Sequence, residues 1–242
     1  MCIICSQQIY YFTLHNLKVS DCEVLTSEKL QKILNQCKNL KGLYCNNCPS
    51  LTSLDLRNNI NLTALECFNC ISLTSIDLRN NKNLKELGCS SCTSLISLDL
   101  RNNINLEKLW CSYCTSLTSL DLRNNINLVT LECSDCTSLT NLDLQNNINL
   151  KILWCPHCTS LTNLDLRNNI NLEKLWCFSC PWITQNEDFI NNLQRLIKIQ
   201  RWYRKLLIIK YMKSKQFIEW IYAPNNIGGC LHKVKLLKEF HI

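Results

Sequence analysis

Leu106-Glu-Lys-Leu109-Trp110-Cys111-Ser-Tyr-Cys114-Thr-Ser-Leu117-Thr-Ser-Leu120-Asp121-Leu122-Arg123-Asn124-Asn125-Ile126-Asn127 is one turn of a pattern that returns every 22 residues. Fourteen of the 19 cysteines keep that step. Cys45, Cys67, Cys89, Cys111, Cys133, Cys155 and Cys177 form one column, and Cys48, Cys70, Cys92, Cys114, Cys136, Cys158 and Cys180 form a second. A cysteine column in phase with a leucine column marks a solenoid. A coil of this length cannot bury its own apolar side, so each coil stacks on the next. Leu109 and Cys111 should point inward from one side, and Leu120 and Leu122 from the other.

The stretch from Leu106 to Leu117 fits Leu-x-x-Leu-x-(Leu/Cys)-x-x-(Asn/Cys)-x-x-Leu. It resembles the leucine-rich repeat family in its cysteine-containing form. Similar units start at Leu40, Leu62, Leu84, Leu128, Leu150 and Leu172, and a divergent one starts at Leu14 with Leu17, Val19, Cys22 and Leu25 in register. The divergent unit runs 26 residues to Leu40, and its Ser27–Gln36 half reads as a helix with Leu30, Ile33 and Leu34 on one side and Thr26 or Ser27 as its N-cap. The expected fold is an α/β leucine-rich repeat solenoid over residues 1–183, with 22-residue coils. The helix of the first unit lies on the convex side, so the short parallel Leu-x-Cys strands line the concave side. Asn125 and its equivalents Asn59, Asn81, Asn103, Asn147 and Asn169 fall at turns, where an amide satisfies unpaired backbone groups. Cys37 takes that place in the first unit.

The chain has 242 residues and is 46% hydrophobic, enough for a continuous core. The N-terminus, Met-Cys-Ile-Ile-Cys-Ser-Gln-Gln, lacks the basic region and the apolar length of a signal peptide. No stretch reaches the length of a membrane span. Three readings compete for the cysteines. They are small buried apolar groups, zinc ligands, or disulfide partners. Zinc needs four ligands converging on one point, and parallel columns do not converge. Neighbouring rungs lie within disulfide range but aim their side chains poorly for bonding. Reduced thiols and an intracellular location are therefore expected, with no cofactor.

Charge divides the chain. Residues 1–182 hold 15 Lys+Arg and 15 Asp+Glu, while residues 183–242 hold 11 and 4. A neutral repeat array argues against nucleic acid as the solenoid's ligand, since phosphate recognition needs a basic stripe. On the convex side Asp55, Asp77, Asp99, Asp121, Asp143 and Asp165 precede Arg57, Arg79, Arg101, Arg123, Gln145 and Arg167 by two residues. That monotony reads as structural. The concave columns vary instead. After each strand leucine come Tyr44, Glu66, Gly88, Trp110, Glu132, Trp154 and Trp176, flanked by Phe68 and Phe178 among others. Variation confined to one face, with aromatic residues in it, is what a protein-recognition surface needs. Tyr44, Glu66, Phe68, Trp110, Glu132, Trp154, Trp176 and Phe178 are the expected partner-binding residues.

The beat stops after Trp182-Ile183, and residues 184–242 read as a basic helical cap. A helix over 187–213 is expected to cover the open end of the stack. Ile199-Gln200-Arg201-x-x-Arg204-Lys205 resembles the start of an IQ motif, which implies calmodulin-type binding, with an anionic surface as the other partner for such a helix. Lys205 stands at the motif's usual glycine. The C-terminal region also resembles repeat proteins of mimivirus-like giant DNA viruses, which implies a host cytoplasm or a virion. The four histidines are scattered, and His157 in Cys-Pro-His-Cys reads as a variable turn position. No catalytic constellation is present in the sequence. The expected function is a non-catalytic protein-interaction scaffold. The alternative is substrate recognition in a ubiquitin-ligase type complex, which such repeats serve beside an F-box. Only 13 residues precede the first unit here, too few for that bundle.

Overall fold

The computed structural model describes residues 15–184. Leu14, the helix expected over 187–213 and the residues Ile199, Gln200, Arg201, Arg204 and Lys205 lie outside them. Among the described residues thirteen strands alternate between two sides of the stack. One side is a single eight-stranded parallel sheet. It contains β1 (Asn16–Lys18), β2 (Gly42–Tyr44), β4 (Ala64–Glu66), β6 (Glu86–Gly88), β8 (Lys108–Trp110), β10 (Thr130–Glu132), β12 (Ile152–Trp154) and β13 (Lys174–Trp176), in that spatial order. Register is strict: Leu87 pairs with Leu109 and Leu109 with Leu131, so equivalent side chains stack rung on rung.

The opposite side carries β3 (Ser53–Asp55), β5 (Ser75–Asp77), β7 (Ser97–Leu98), β9 (Ser119–Asp121) and β11 (Asn141–Asp143), paired as β3-β5 and β7-β9-β11. Sequence reading placed no strand there. The local cause is alternation: Ser119 is exposed, Leu120 buried and Asp121 half-buried, a period of two. Helix is correspondingly scarce, limited among the described residues to α1 (Ser27–Leu34) and α2 (Pro181–Thr184). The helix α1 replaces the second strand of the first coil and absorbs its four extra residues, since Asn16 pairs with Gly42. Leu30, Ile33 and Leu34 are buried and the side chain of Thr26 caps Lys29 N–H. Ser27 joins α1 to the next coil instead, its Oγ accepting from the N–H groups of Thr52 and Ser53, each at 2.9 Å.

The core is built of columns. Leu65, Leu87, Leu109, Leu131 and Leu153 have no exposed surface, and neither do both cysteines of the same coils. Asn59, Asn81, Asn103, Asn125 and Asn147 are equally buried. Each donates two hydrogen bonds to the preceding coil. Asn125 Nδ2 reaches Leu100 O at 3.1 Å and Asn103 O at 2.8 Å. Asn59 makes the same pair to Leu34 O and Cys37 O, so Cys37 does occupy the equivalent place in the first unit. Two exposed columns missed in the sequence do likewise: Asn124 Nδ2 donates to Arg101 O and Asn127 Nδ2 to Ile104 O.

The second cysteine column forms another ladder. Cys114 Sγ donates to Cys89 O, Cys136 to Cys111 O and Cys158 to Cys133 O, each at 3.1 Å. The residue before each of these cysteines has φ between 54° and 61°, at Asp21, Asn47, Asn69, Ser91, Tyr113, Asp135, His157 and Ser179. Four of the eight are Asn or Asp, which tolerate the left-handed region best. His157 is thus a turn residue.

Outside, each Arg of the column from Arg57 to Arg167 forks the Asp two residues before it. Arg123 donates from Nε to Asp121 Oδ1 at 3.0 Å and from Nη2 to Asp121 Oδ2 at 2.8 Å. These exposed pairs are worth about 0–1 kcal/mol each. The buried amides matter more. Replacing Asn125 by Ala removes two buried hydrogen bonds, although Leu100 O and Asn103 O keep the backbone N–H groups of Asn103 and Leu106, so urea unfolding should show a loss of about 1–3 kcal/mol, while Asn124→Ala on the exposed column should cost less than about 1 kcal/mol.

Candidate binding surface on the eight-stranded sheet

The outward face of the eight-stranded sheet is set by the residues on either side of each buried strand leucine. Successive strand residues point to opposite faces, so Lys108 and Trp110 share the outer one. The residue two places further, Ser112, follows at the turn. Its column helps hold the turns: Ser112 N–H donates to Ser90 Oγ and Ser134 N–H to Ser112 Oγ, both at 3.1 Å.

The expected site residues separate into three groups. Trp154, Trp176 and Phe178 come together on the last two rungs. The indoles of Trp154 and Trp176 stack with centroids 4.7 Å apart, Trp154 is 40% exposed and Phe178 is 53% exposed. The Phe178 ring also meets His157 edge-on at 5.1 Å. Glu66, Phe68, Trp110 and Glu132 line a second feature, a cavity of about 350 Å³ that also touches Ser90. Tyr44 stands apart near the N-terminal end, with Lys18 Nζ 5.4 Å from its ring centroid.

The face is less uniformly exposed than its variability implies. Gly42, Gly88, Thr130 and Ser134 are buried. At Gly88 the cause is visible: the Phe68 ring of the preceding coil lies where a side chain would start, and a methyl group there would overlap it. Phe68 is held in place by its own N–H, which donates to Asn46 Oδ1 at 2.8 Å. Asn46 Nδ2 in turn donates to Glu66 Oε2 at 3.3 Å.

Lysines of this face sit over its rings, a feature the columns did not reveal. Lys108 Nζ and Lys174 Nζ each lie 5.9 Å from the ring centroids of Trp110 and Trp176. Lys108 is also paired with Glu86 at 2.7 Å. A second groove, of about 450 Å³, runs along the neighbouring turns between Lys85, Glu107, Val129 and Lys151 under a row of asparagines. Its charges are already matched, Lys85 to Glu107 at 2.8 Å and Lys151 to Glu173 at 3.6 Å.

The cysteine columns are enclosed by the stack. All sixteen described cysteines are buried. The hydrogen bond shared with Cys136, and then burial, push the Cys111 thiol well up from its ordinary value. Burial pushes Cys177 up to about 12. A raised value keeps Cys111 and Cys177 neutral thiols, and the thiolate is the nucleophile; the same shared hydrogen bonds draw the second-column thiols of Cys70, Cys136 and Cys180 down, while their burial keeps reagents away. Among the described residues no three His, Cys, Asp or Glu side chains converge to hold a metal ion, and no helix is long and apolar enough to cross a membrane.

Comparison with known proteins follows this geometry. The profile of the BspA type leucine rich repeat region matches residues 13–108 and 110–199, in six copies. Among solved structures the chain is similar to the functional domain of InlJ from Listeria monocytogenes, described as including a cysteine ladder. Identity is 29% and the TM-score 0.50, over 69% of this chain and 40% of that one. The chain therefore spans two fifths of that domain's length. An internalin of Listeria monocytogenes (inlF) is 18% identical with a TM-score of 0.33, over 69% of this chain and 68% of that one. A leucine-rich repeat protein of Leptospira interrogans is 17% identical with a TM-score of 0.29, over 69% and 61%. No curated protein matches the sequence.

Chemical labelling tests the state of the thiols. In the native protein at about pH 8, iodoacetamide should modify the column cysteines Cys67 to Cys177 at least about a hundredfold more slowly than in urea, read peptide by peptide by mass spectrometry.

Proposed function

The chain belongs to the BspA-type leucine-rich repeat family, and we propose that it is a non-catalytic scaffold that binds a protein partner through the outer face of its eight-stranded sheet. The single observation that carries this reading is the exposed stacked pair Trp154–Trp176 with Phe178 beside it. Large rings left half-open on a rigid strand surface lose little side-chain freedom on binding and bury much area, which is why such residues dominate interface energetics. The rest of the stack supports it by contrast. The opposite side repeats one Asp–Arg fork from coil to coil, whereas this side changes residue at almost every rung.

The chemistry of the stack also bears on its setting. A core of neutral, buried thiols suits a reducing compartment, so the proposed location is intracellular. The resemblance of the C-terminal residues to giant-virus repeat proteins makes the proposed compartment a host cytoplasm or a virion. It rests on residues outside those described.

The test is affinity capture with the full chain as bait. Trp110→Ala combined with Trp154→Ala should reduce partner recovery at least about tenfold, as expected for loss of central aromatic anchors. The thermal midpoint should stay within about 2 °C of the parent, since neither ring belongs to the buried columns. Recovery equal to that of the parent chain would contradict this reading.

A further inference from the structure

We infer that the cavity between Glu66 and Glu132 is a receptor for one cationic side chain, a lysine or arginine of the bound partner. The inference rests on the reading of this face as the binding face and gives one part of it a chemistry.

A glycine shapes one wall of the cavity. Tyr44, Glu66, Trp110, Glu132, Trp154 and Trp176 fill the column on neighbouring rungs, and Gly88 interrupts it. Phe68 folds into the space next to Gly88 and becomes part of the wall. Trp110 provides the second aromatic wall and Glu66 and Glu132 provide carboxylates, around a volume of about 350 Å³. That volume is at the small end of ligand pockets and suits one long side chain rather than a folded segment.

The charge is one-sided. Neither Glu66 nor Glu132 has an ion-pair partner among the described residues. Glu66 accepts one hydrogen bond, from Asn46 Nδ2, which is neutral. The nearby basic group does not offset them, because Lys108 is tied to Glu86 at 2.7 Å. Both carboxylates are half-buried, where a charge is screened less than in open solvent. An anion entering here meets two like charges. A neutral apolar group leaves both carboxylates partly desolvated without compensation. An ammonium or guanidinium group gains from the carboxylate it approaches, at either end of the cavity, and from the ring faces between them.

A metal ion fits poorly. Glu66 and Glu132 stand three rungs apart, about 14 Å along the sheet, and the remaining walls are rings and a hydroxyl. The face already seats its own ammonium groups over rings, at Lys18–Tyr44, Lys108–Trp110 and Lys174–Trp176. The proposed ligand uses the same contact from outside.

The experiment uses the full chain labelled with nitrogen-15 and follows the indole N–H of Trp110, assigned with Trp110→Phe. The probes are N-acetyl-lysine methylamide, N-acetyl-arginine methylamide and the uncharged N-acetyl-norleucine methylamide. A saturable shift with a Kd in the roughly millimolar range is expected for one or both cations, and binding at least about tenfold weaker for norleucine. Glu66→Gln with Glu132→Gln should weaken the cation at least about tenfold while leaving the other five indole signals in place. Norleucine binding as well as lysine, or unchanged binding by the double variant, overturns the assignment. These outcomes are independent of the capture experiment. If capture depends on Trp110 and Trp154 but the cations do not bind, the cation receptor is wrong and the binding face stands. If the cations titrate Trp110 but capture is indifferent to both indoles, the face reading falls and with it the assignment of the cation to a partner's side chain.

Discussion

Side-chain donors that reach back to the backbone carbonyls of the preceding coil are what the stack depends on. Strands cover no more than six residues of each 22, three on either side. The turns between mix buried positions such as Asn125 with exposed ones such as Asn124 and Asn127, and all carry backbone polar groups. Each buried Asn closes two of those carbonyls and each second-column Cys closes one more. The arrangement has a cost. The Oδ1 atoms of Asn59, Asn81, Asn103, Asn125, Asn147 and Asn169 are buried and accept no hydrogen bond. Each unsatisfied acceptor costs about 1–3 kcal/mol, against about 0.5–1.5 kcal/mol for each of the two hydrogen bonds that the amide donates, to carbonyls that also accept a backbone N–H.

That constraint also partitions the sequence. Leucine, cysteine and asparagine columns face the coils above and below, so a change in one rung disturbs two neighbours. The Asp–Arg forks close on themselves within a rung, apart from the contact of Arg57 with Asp77 at 3.3 Å. The outer face of the eight-stranded sheet carries less of this duty, limited to contacts such as Ser112 N–H to Ser90 Oγ and Phe68 N–H to Asn46 Oδ1. Its residues can change with little consequence for stacking, and this is where Trp, Phe, Glu and Lys replace one another from coil to coil. Stability and recognition are thereby carried by different columns of the same repeat.

Much of this was readable in the sequence. The 22-residue beat gives the stacking, the inward leucines and cysteines, and the buried role of Asn125. The spacing of Leu30, Ile33 and Leu34 gives α1. What escaped depends on contacts between coils. The strands opposite the main sheet arise because Ser-Leu-Asp triplets pair across rungs, although nothing in one triplet distinguishes it from a turn. The direction of the Cys114 thiol toward Cys89 O follows from the left-handed turn at Tyr113, a residue with no special preference for it. The cavity at Gly88 needs Phe68, twenty residues earlier, to lie against it. A glycine in a column otherwise filled by large residues was the available signal.

Hydrogen exchange of side-chain amides tests the ladder most directly. The Nδ2 protons of Asn81, Asn103, Asn125 and Asn147 are each held between two buried carbonyls. In the intact protein they should exchange with solvent at least about a thousandfold more slowly than free asparagine, in step with the backbone amides of Cys89 and Cys111. Exchange at the rate of free asparagine, with those backbone amides still protected, would show that the coils are held together by strand pairing and apolar burial alone.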